Sequence, residues 1–430
     1  MSSDWTRARG NRELRFFGVL RESPALHFYL MQFVAFAYVF YRFASRSYEV
    51  YGRFPHEMFD FPRRYVVELW PTPGLYFTTF QFIYEFVPRP TPEVIFCLQL
   101  VILGFCVLGM AGLLPRLSAL VCFVLGIHIT GMMQSSNGDV DGGSLVMLVM
   151  LIMVLSPKEN FYGPGRGFSP ERRSVDTHWP VFLVLLAVGG FYTLSGLNKI
   201  FDVGPHWPFV LHLERRAVVA IENAVVLTSH FTLPNSLMVF MAKSPIFGIV
   251  SGTIAFIAEV GAISLLVLPR YRFFVISGLA VLHVMVFTNS GINFVGSTAV
   301  LLLCFDWNVL VRRAEIYYDG DCGFCERSLL WVKRFDWFDR LTIRPSRELA
   351  PQGARLDPAL LENEVGLQDE NGELYYGADA FEQIATRCPV LMPFALLMKV
   401  PGAILVARHV YDHVAANRRE LGSLLPSPGE

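Results

Sequence analysis

Net charge is what this chain lacks. Its 36 lysines and arginines nearly cancel 37 aspartates and glutamates, leaving a formal charge of -1 over 430 residues, with a pI near 6.8. Binding a phosphate backbone needs a basic surface, so the balance excludes nucleic acid as a partner. Cysteine is scarce as well, with 7 residues. Cys97, Cys106, Cys122 and Cys304 fall in apolar stretches and read as packing residues, which argues against an extracellular disulfide scaffold. Polar sequence is also thin. The chain is 53% hydrophobic and 14% aromatic, with a mean hydropathy of +0.42, well above the apolar share of a soluble domain. It reads as an integral membrane protein with membrane lipid as a partner.

The N-terminus carries Arg7, Arg9, Arg12 and Arg15 and then enters an apolar stretch, Ala25–Ala44. No small-residue cleavage site follows, and about 20 apolar residues suffice to cross a bilayer, so a retained first span is expected. Further candidate spans are Glu93–Leu114, Leu117–Met133, Ser144–Leu155, Trp179–Leu197, Ile246–Leu268, Phe273–Thr288 and Gly291–Leu310. The total is about eight. Leu75–Phe86 is short, and Ala217–Met241 is interrupted by Glu222, His230 and Pro234, so both read as interfacial or re-entrant.

Flanking basic residues set the expected orientation. With a cytoplasmic N-terminus, Arg116, the loop carrying Lys158, Arg166, Arg172 and Arg173, Arg270 with Arg272, and Arg312 with Arg313 all fall on the cytoplasmic side. Asn137–Asp141, Lys199–Trp207 and Thr288–Asn293 then face the opposite side. The basic Arg46–Arg64 loop argues against this count, and an odd number of spans would reverse the assignment.

From Arg312 to the end the character changes, because this part holds 18 of the 37 acidic residues. Ala314–Tyr318 alternates like a strand, Glu326–Phe335 has helical periodicity, and Arg340–Arg344 reads as a second strand. Glu364–Leu367 and Glu373–Tyr375 flank Asp369–Gly372, a polar turn ending in Asn-Gly, which signals a hairpin. Gly377–Arg387 and Arg408–Glu420 read as helices. Between the first strand and first helix lies Tyr317-Tyr-Asp-Gly-Asp-Cys-Gly-Phe-Cys325. Two cysteines three apart at a helix start can close a small disulfide, and the helix N-terminus stabilises Cys322 as a thiolate. Strand, CxxC helix, strand, hairpin and helix is the order of a thioredoxin-like fold.

Together with Gly377-Ala-Asp-Ala380, Val400-Pro-Gly402 and Val410-Tyr-Asp-His-Val-Ala-Ala-Asn-Arg418, the CxxC segment resembles the DCC family of thiol-disulfide oxidoreductases. The resemblance implies dithiol/disulfide exchange with a thiol or disulfide redox partner, with Cys322 attacking and Cys325 resolving. One departure is the missing proline before Glu364–Leu367, where thioredoxins keep a cis-proline beside the disulfide. Other readings stay open. The pair is also compatible with two buried structural cysteines, or with a zinc site completed by His409 and His413, although the long gap is unlike finger spacing. Asp319 and Asp321 oppose the helix dipole at Cys322. Cys388 either approaches the pair or plays no part in it.

Ionisable residues in spans are functional candidates because removing them from water costs free energy. Lys199 closes Tyr192-Thr-Leu-Ser-Gly-Leu-Asn-Lys-Ile200, with Asn198 beside it and Trp207 downstream. This segment resembles the membrane part of vitamin K-dependent gamma-glutamyl carboxylases and their bacterial HTTM relatives. Glu259, His283 and the Gly291–Ser297 turn add weaker matches. The resemblance implies that Lys199 deprotonates a reduced quinone of the vitamin K type, with His283, Glu259, Asn198 and Trp207 around it and no covalently bound cofactor. A lysine deprived of solvent can accept a phenolic proton, whereas one at a span end can simply snorkel to the interface. His283 and Glu259 equally suit hydrogen-bonded packing roles. Asn137, Asp139 and Asp141 suit a solvated loop, and Phe77–Phe86 suits either a quinone pocket wall or an interfacial belt. The large soluble domain of animal carboxylases has no counterpart here, which weighs against carboxylation of a protein substrate.

The expected fold is therefore a polytopic α-helical membrane bundle of about eight spans, residues 1–311, followed by an α/β thioredoxin-like domain, residues 312–430. The expected function is a membrane thiol-disulfide oxidoreductase whose dithiol is coupled to a carboxylase-like bundle acting on a quinone or other lipophilic substrate. A quinol epoxidase or carboxylase with an accessory thiol domain is the second reading, and a non-catalytic binding or transport protein the third. The expected location is a bacterial inner (plasma) membrane with the C-terminal domain in the cytoplasm.

Overall fold

The structure is a computed structural model. It describes residues 23–53, 90–137, 143–164, 167–210, 212, 240, 243–268, 271–290, 294–348, 357–370, 372–400 and 402–421. The N-terminal arginines, Phe77–Phe86, most of the Arg46–Arg64 loop, most of Ala217–Met241, Asp139, Asp141 and the start of the Gly291–Ser297 turn lie outside these residues. The chain forms two compact units, Met1–Phe305 and Asp306–Glu430.

The first unit is helical: α1 (Leu26–Ala44), α2 (Pro92–Met110), α3 (Pro115–Asn137), α4 (Gly143–Leu155), α5 (Val175–Asp202), α6 (Pro245–Val260), α7 (Arg272–Ser290) and α8 (Val295–Leu302). Caps mark where two of the long helices begin. Thr91 Oγ1 accepts from the Val94 N–H ahead of a proline in the first turn of α2, and Ser174 Oγ accepts from the Asp176 N–H of α5 at 3.0 Å.

About eight spans were expected from hydropathy alone. Among the described residues, three helices are long and apolar enough to cross a membrane: Pro92–Met110, Asp176–Phe201 and Pro245–Val267. Pro115–Gly131, Leu145–Leu155 and Arg272–Phe287 are shorter apolar helices. In these three the continuous apolar part is 10–17 residues long, short of the length that a straight crossing needs. The helix α1 is long enough but falls outside the set because His27, Gln32 and Arg42 lower its hydropathy, and these polar groups are buried inside the unit. His27 Nε2 bonds the Leu303 carbonyl at 2.6 Å, Gln32 Nε2 donates to the Gly109 carbonyl at 2.9 Å, and Arg42 is buried beneath Tyr38. Its surroundings are protein: Phe28, Phe36, Val39 and Phe43 belong to the same buried core as Ile95, Ile102, Met147 and Met150. A helix packed on several sides need not present an apolar surface to lipid.

The second unit is α/β. Its elements are β1 (Ala314–Tyr318), α9 (Gly323–Lys333), β2 (Leu341–Pro345), β3 (Gly366–Asp369), β4 (Leu374–Tyr376), α10 (Gly377–Arg387), α11 (Met392–Met398) and α12 (Ala403–Ala416). The sheet order is β2-β1-β3-β4. Strand β1 runs parallel to β2, with Ile316 opposite Ile343, and antiparallel to β3, with Ile316 opposite Leu367. The hairpin closes antiparallel, Leu367 opposite Tyr375. Asp369 makes that turn, its carboxylate accepting from the Glu373 N–H at 2.9 Å. Alternation in β1 sends Ala314, Ile316 and Tyr318 into one core with Leu329, Leu341, Leu367 and Ile384, and Tyr317 toward Leu361 on the other side.

Several boundaries differ from expectation: α9 covers Gly323–Lys333 rather than Glu326–Phe335, and β3 covers Gly366–Asp369 rather than Glu364–Leu367. The final helix begins at Ala403 and stops at Ala416, with Arg418–Leu421 a separate turn. Val400-Pro-Gly402 sets its start, because Gly402 takes φ +87°, a conformation that favours glycine. The helix α11 was not expected. It meets α12 at 112°, and the two would make a fourth span only if they were read as one broken segment.

Candidate functional site

Cys322 and Cys325 are joined as a disulfide across the first turn of α9, their Cα atoms 5.3 Å apart. Cys322 is the N-cap residue, with extended φ/ψ of -96° and 94°, and its Sγ accepts from the Cys325 N–H at 3.2 Å. When the disulfide is reduced, that same N–H and the helix terminus face the Cys322 sulfur and favour its thiolate. Cys322 is 9% exposed, while Cys325 is half-buried beside the core that contains Leu329 and Cys388.

The acidic residues before the pair act differently from what the sequence suggested. Asp319 is neutralised: its carboxylate lies 3.2 Å from the Arg418 guanidinium and accepts from the Asp321 N–H at 3.0 Å. Asp321 extends into solvent, 4.0 Å from Arg347. One of the two charges opposing the helix dipole is thus paired and the other is screened by water.

The separated sequence motifs converge on this site. Arg418 ends the closing motif and reaches the Asp319 of the first. Arg408 holds Asp379, from Gly377-Ala-Asp-Ala380, at 3.1 and 2.8 Å. Tyr411 accepts the Val365 N–H at 2.9 Å, and burial pushes its phenol above the ordinary range. Gly377 must be glycine. It has φ +55°, and a Cβ there would meet Glu364 Oε2 at 3.0 Å and the Tyr411 ring at 3.2 Å.

Residues 316–424 match the family model of the DCC1-like thiol-disulfide oxidoreductases. Comparisons with curated proteins and with solved structures give no match. The cysteine pair, the Asp319–Arg418 bridge and Tyr411 all fall within this DCC1-like domain. Cys388 is a separate, fully buried thiol, pushed up to about 11, mainly by burial and then by Asp336. The two cysteines are bonded to each other, His409 and His413 are exposed, and among the described residues no three His, Cys, Asp or Glu side chains converge.

The helical unit holds a second polar cluster, which no family match covers. Tyr192, Ser195 and Lys199 recur at three- and four-residue spacing on one face of α5. Lys199 Nζ forms an ion pair with the Glu259 carboxylate of α6, 2.6 Å from Oε1. It also donates to Ser195 Oγ at 3.4 Å and sits 4.9 Å above the Trp207 ring, which stacks on Phe256. Glu259 is 4% exposed. Gly196 permits the approach, since a Cβ there would meet Val260 Cγ2 at 2.8 Å and the Val260 nitrogen at 2.9 Å. His283 is bracketed, with Nε2 2.6 Å from Tyr192 Oη and Nδ1 2.8 Å from Thr298 Oγ1, over the Phe294 ring.

The structure therefore brings Lys199, Glu259 and Trp207 together and ties His283 to them through the α5 face. Among the described residues, Asn198 takes no part. Ser195 and Thr298 went unremarked in the sequence. Serine and threonine are common in apolar helices, so only the fold singles these two out. Cys106 and Cys122, read as packing residues, are buried with their sulfurs 3.6 Å apart.

Proposed function

We propose that the chain is a membrane-anchored thiol-disulfide oxidoreductase. The observation that carries this is the Cys322–Cys325 disulfide at the N-terminus of α9, with Cys322 Sγ accepting a backbone N–H. In the reductive direction the Cys322 thiolate attacks a partner disulfide, forming a mixed disulfide and releasing one partner thiolate. Cys325, deprotonated as it attacks, displaces the second, so the partner leaves as two thiols and the disulfide re-forms. The parallel β1–β2 pair followed by an antiparallel hairpin supports a thioredoxin-like scaffold. The test is reversible alkylation gel-shift on the full chain with single cysteine variants. Exchange that survives Cys322→Ser, with no reversible disulfide in the wild type, would refute the reading.

A second reading concerns the helical unit, with a lipophilic quinol as the substrate class, and the Lys199–Glu259 pair supports it. A half-buried lysine paired with a buried carboxylate is not an isolated base. In the ionic form the free lone pairs belong to Glu259, and Lys199 accepts a proton only after passing its own to that carboxylate. The pair would act as one proton-accepting unit, with Trp207 and Phe256 as an apolar wall. Coupling to the dithiol, a bacterial inner membrane and a cytoplasmic DCC1-like domain belong to the same proposal. Turnover of a reduced naphthoquinone that is unchanged in Lys199→Ala would remove this reading.

A further inference from the structure

Beside the disulfide, the DCC1-like domain contains a cavity of about 380 Å³. Its walls come from Phe324 and Cys325 of α9, Phe381 of α10, Met398 of α11, and Ala407 and Val414 of α12, with the segment ahead of β3 closing one side. The helix α12 has no fully buried residue, so its inward side is spent on this cavity rather than on a packed core. The polar side chains at the rim are largely engaged already. Arg418 pairs with Asp319 and donates to the Glu362 carbonyl at 2.8 Å, and Tyr411 Oη accepts the Val365 N–H. What faces the cavity is therefore mostly carbon and one redox sulfur. The ionisable lining groups, Asp319, Glu364 and Arg418, carry more negative than positive charge.

We propose that this cavity receives the apolar part of the exchange partner, and that the partner is a small, uncharged aromatic or aliphatic thiol or its disulfide. The inference rests on the oxidoreductase reading of Cys322 and Cys325. An apolar group entering the cavity leaves water, and the cavity's size suits a ring with a short linker. An anionic thiol such as glutathione meets the Glu364 carboxylate there, with Arg418 already paired to Asp319, and brings no apolar group to bury. The partner's apolar part lies against Cys325, and its sulfur, at the mouth, reaches Cys322 one S–S bond further on. The thiolate of a first partner molecule attacks the Cys322 sulfur and forms the mixed disulfide there, the Cys322–Cys325 bond breaks, and Cys325 leaves as a thiolate and takes up the proton. A second partner thiol then attacks the mixed disulfide. Partner disulfide leaves and the dithiol remains, so two thiols are oxidised and one protein disulfide is reduced. The reverse direction runs through the same species.

The test uses oxidised full-length protein in detergent, reduced by benzyl mercaptan, by glutathione, or by dithiothreitol as a cavity-independent reference. Rates are compared at equal thiolate concentration. Wild type should react with benzyl mercaptan at least about tenfold faster than with glutathione. Ala407→Trp, which fills the cavity, should remove that preference and leave the dithiothreitol rate within about twofold. Val406→Trp is the control, because Val406 is exposed on the same helix and does not line the cavity. Benzyl methyl sulfide, which cannot exchange, should slow benzyl mercaptan but not dithiothreitol on wild type. That measurement decides the matter if the tryptophan variant fails to fold. Equal wild-type rates with glutathione and benzyl mercaptan, or no competition by the sulfide, overturn the proposal. Loss of dithiothreitol reduction in the wild type would instead overturn the oxidoreductase reading itself.

Discussion

Glu259→Gln is the sharpest probe of the helical unit. The side chain of Glu259 is 5% exposed and that of Lys199 23%, with Nζ 2.6 Å from Oε1. At an effective dielectric of about 20, charges at that separation attract by about 6 kcal/mol gross, much of it offset by the desolvation of both groups. Removing one partner leaves the other charge without its counterion, which costs about 3–5 kcal/mol in buried pairs. Lys199 keeps some access to solvent, so the lower end, about 3 kcal/mol, is expected. Replacing both residues, Lys199→Met with Glu259→Leu, removes both charges and should fall within about 1–2 kcal/mol of wild type. The assay is reversible unfolding in mixed micelles for wild type, both single variants and the double variant. A cost below about 1 kcal/mol for Glu259→Gln, with single effects that simply add, would refute the ion pair as a structural element.

Three further outcomes are expected. Tyr411→Phe removes the acceptor of the Val365 N–H and should destabilise the DCC1-like domain by about 1–3 kcal/mol, read as faster hydrogen exchange at the Val365 amide. Gly196→Ala places a Cβ against Val260 and should cost about 1–3 kcal/mol, measured in the same micelle unfolding assay. Cys388 titrates from an ordinary 9.0 up to about 11 in the folded chain. Between those values the unfolded chain has lost this proton and the folded chain keeps it, so stability falls as pH rises from about 9. Cys388→Ala should show a lower baseline but a shallower alkaline decline in denaturant midpoint.

Much of the DCC1-like domain was legible because its signals are local. Period-2 alternation marks Ala314–Tyr318, Asn-Gly marks the hairpin, and the CxxC spacing marks the helix start. Boundaries were less legible. The final helix begins at Ala403, ahead of the expected Arg408, because a left-handed Gly402 opens it. Span number was less legible too: among the described residues three helices are long and apolar enough to cross a membrane, and hydropathy cannot tell an apolar segment facing lipid from one packed among helices, as α1 is.

The sequence by itself determined which groups are present: a cysteine pair at a helix start, an apolar chain around it, and a lysine after a Gly-x-x step. These are properties of residue type and spacing along the backbone. Only the tertiary structure decided who neutralises whom. Asp319 finds Arg418, Lys199 finds Glu259 and Tyr411 finds Val365, each across tens of residues. Electrostatic and hydrogen-bond energies depend on distance in space, and a cavity exists only where elements distant in sequence fail to close. Neither is written in any local stretch of the chain.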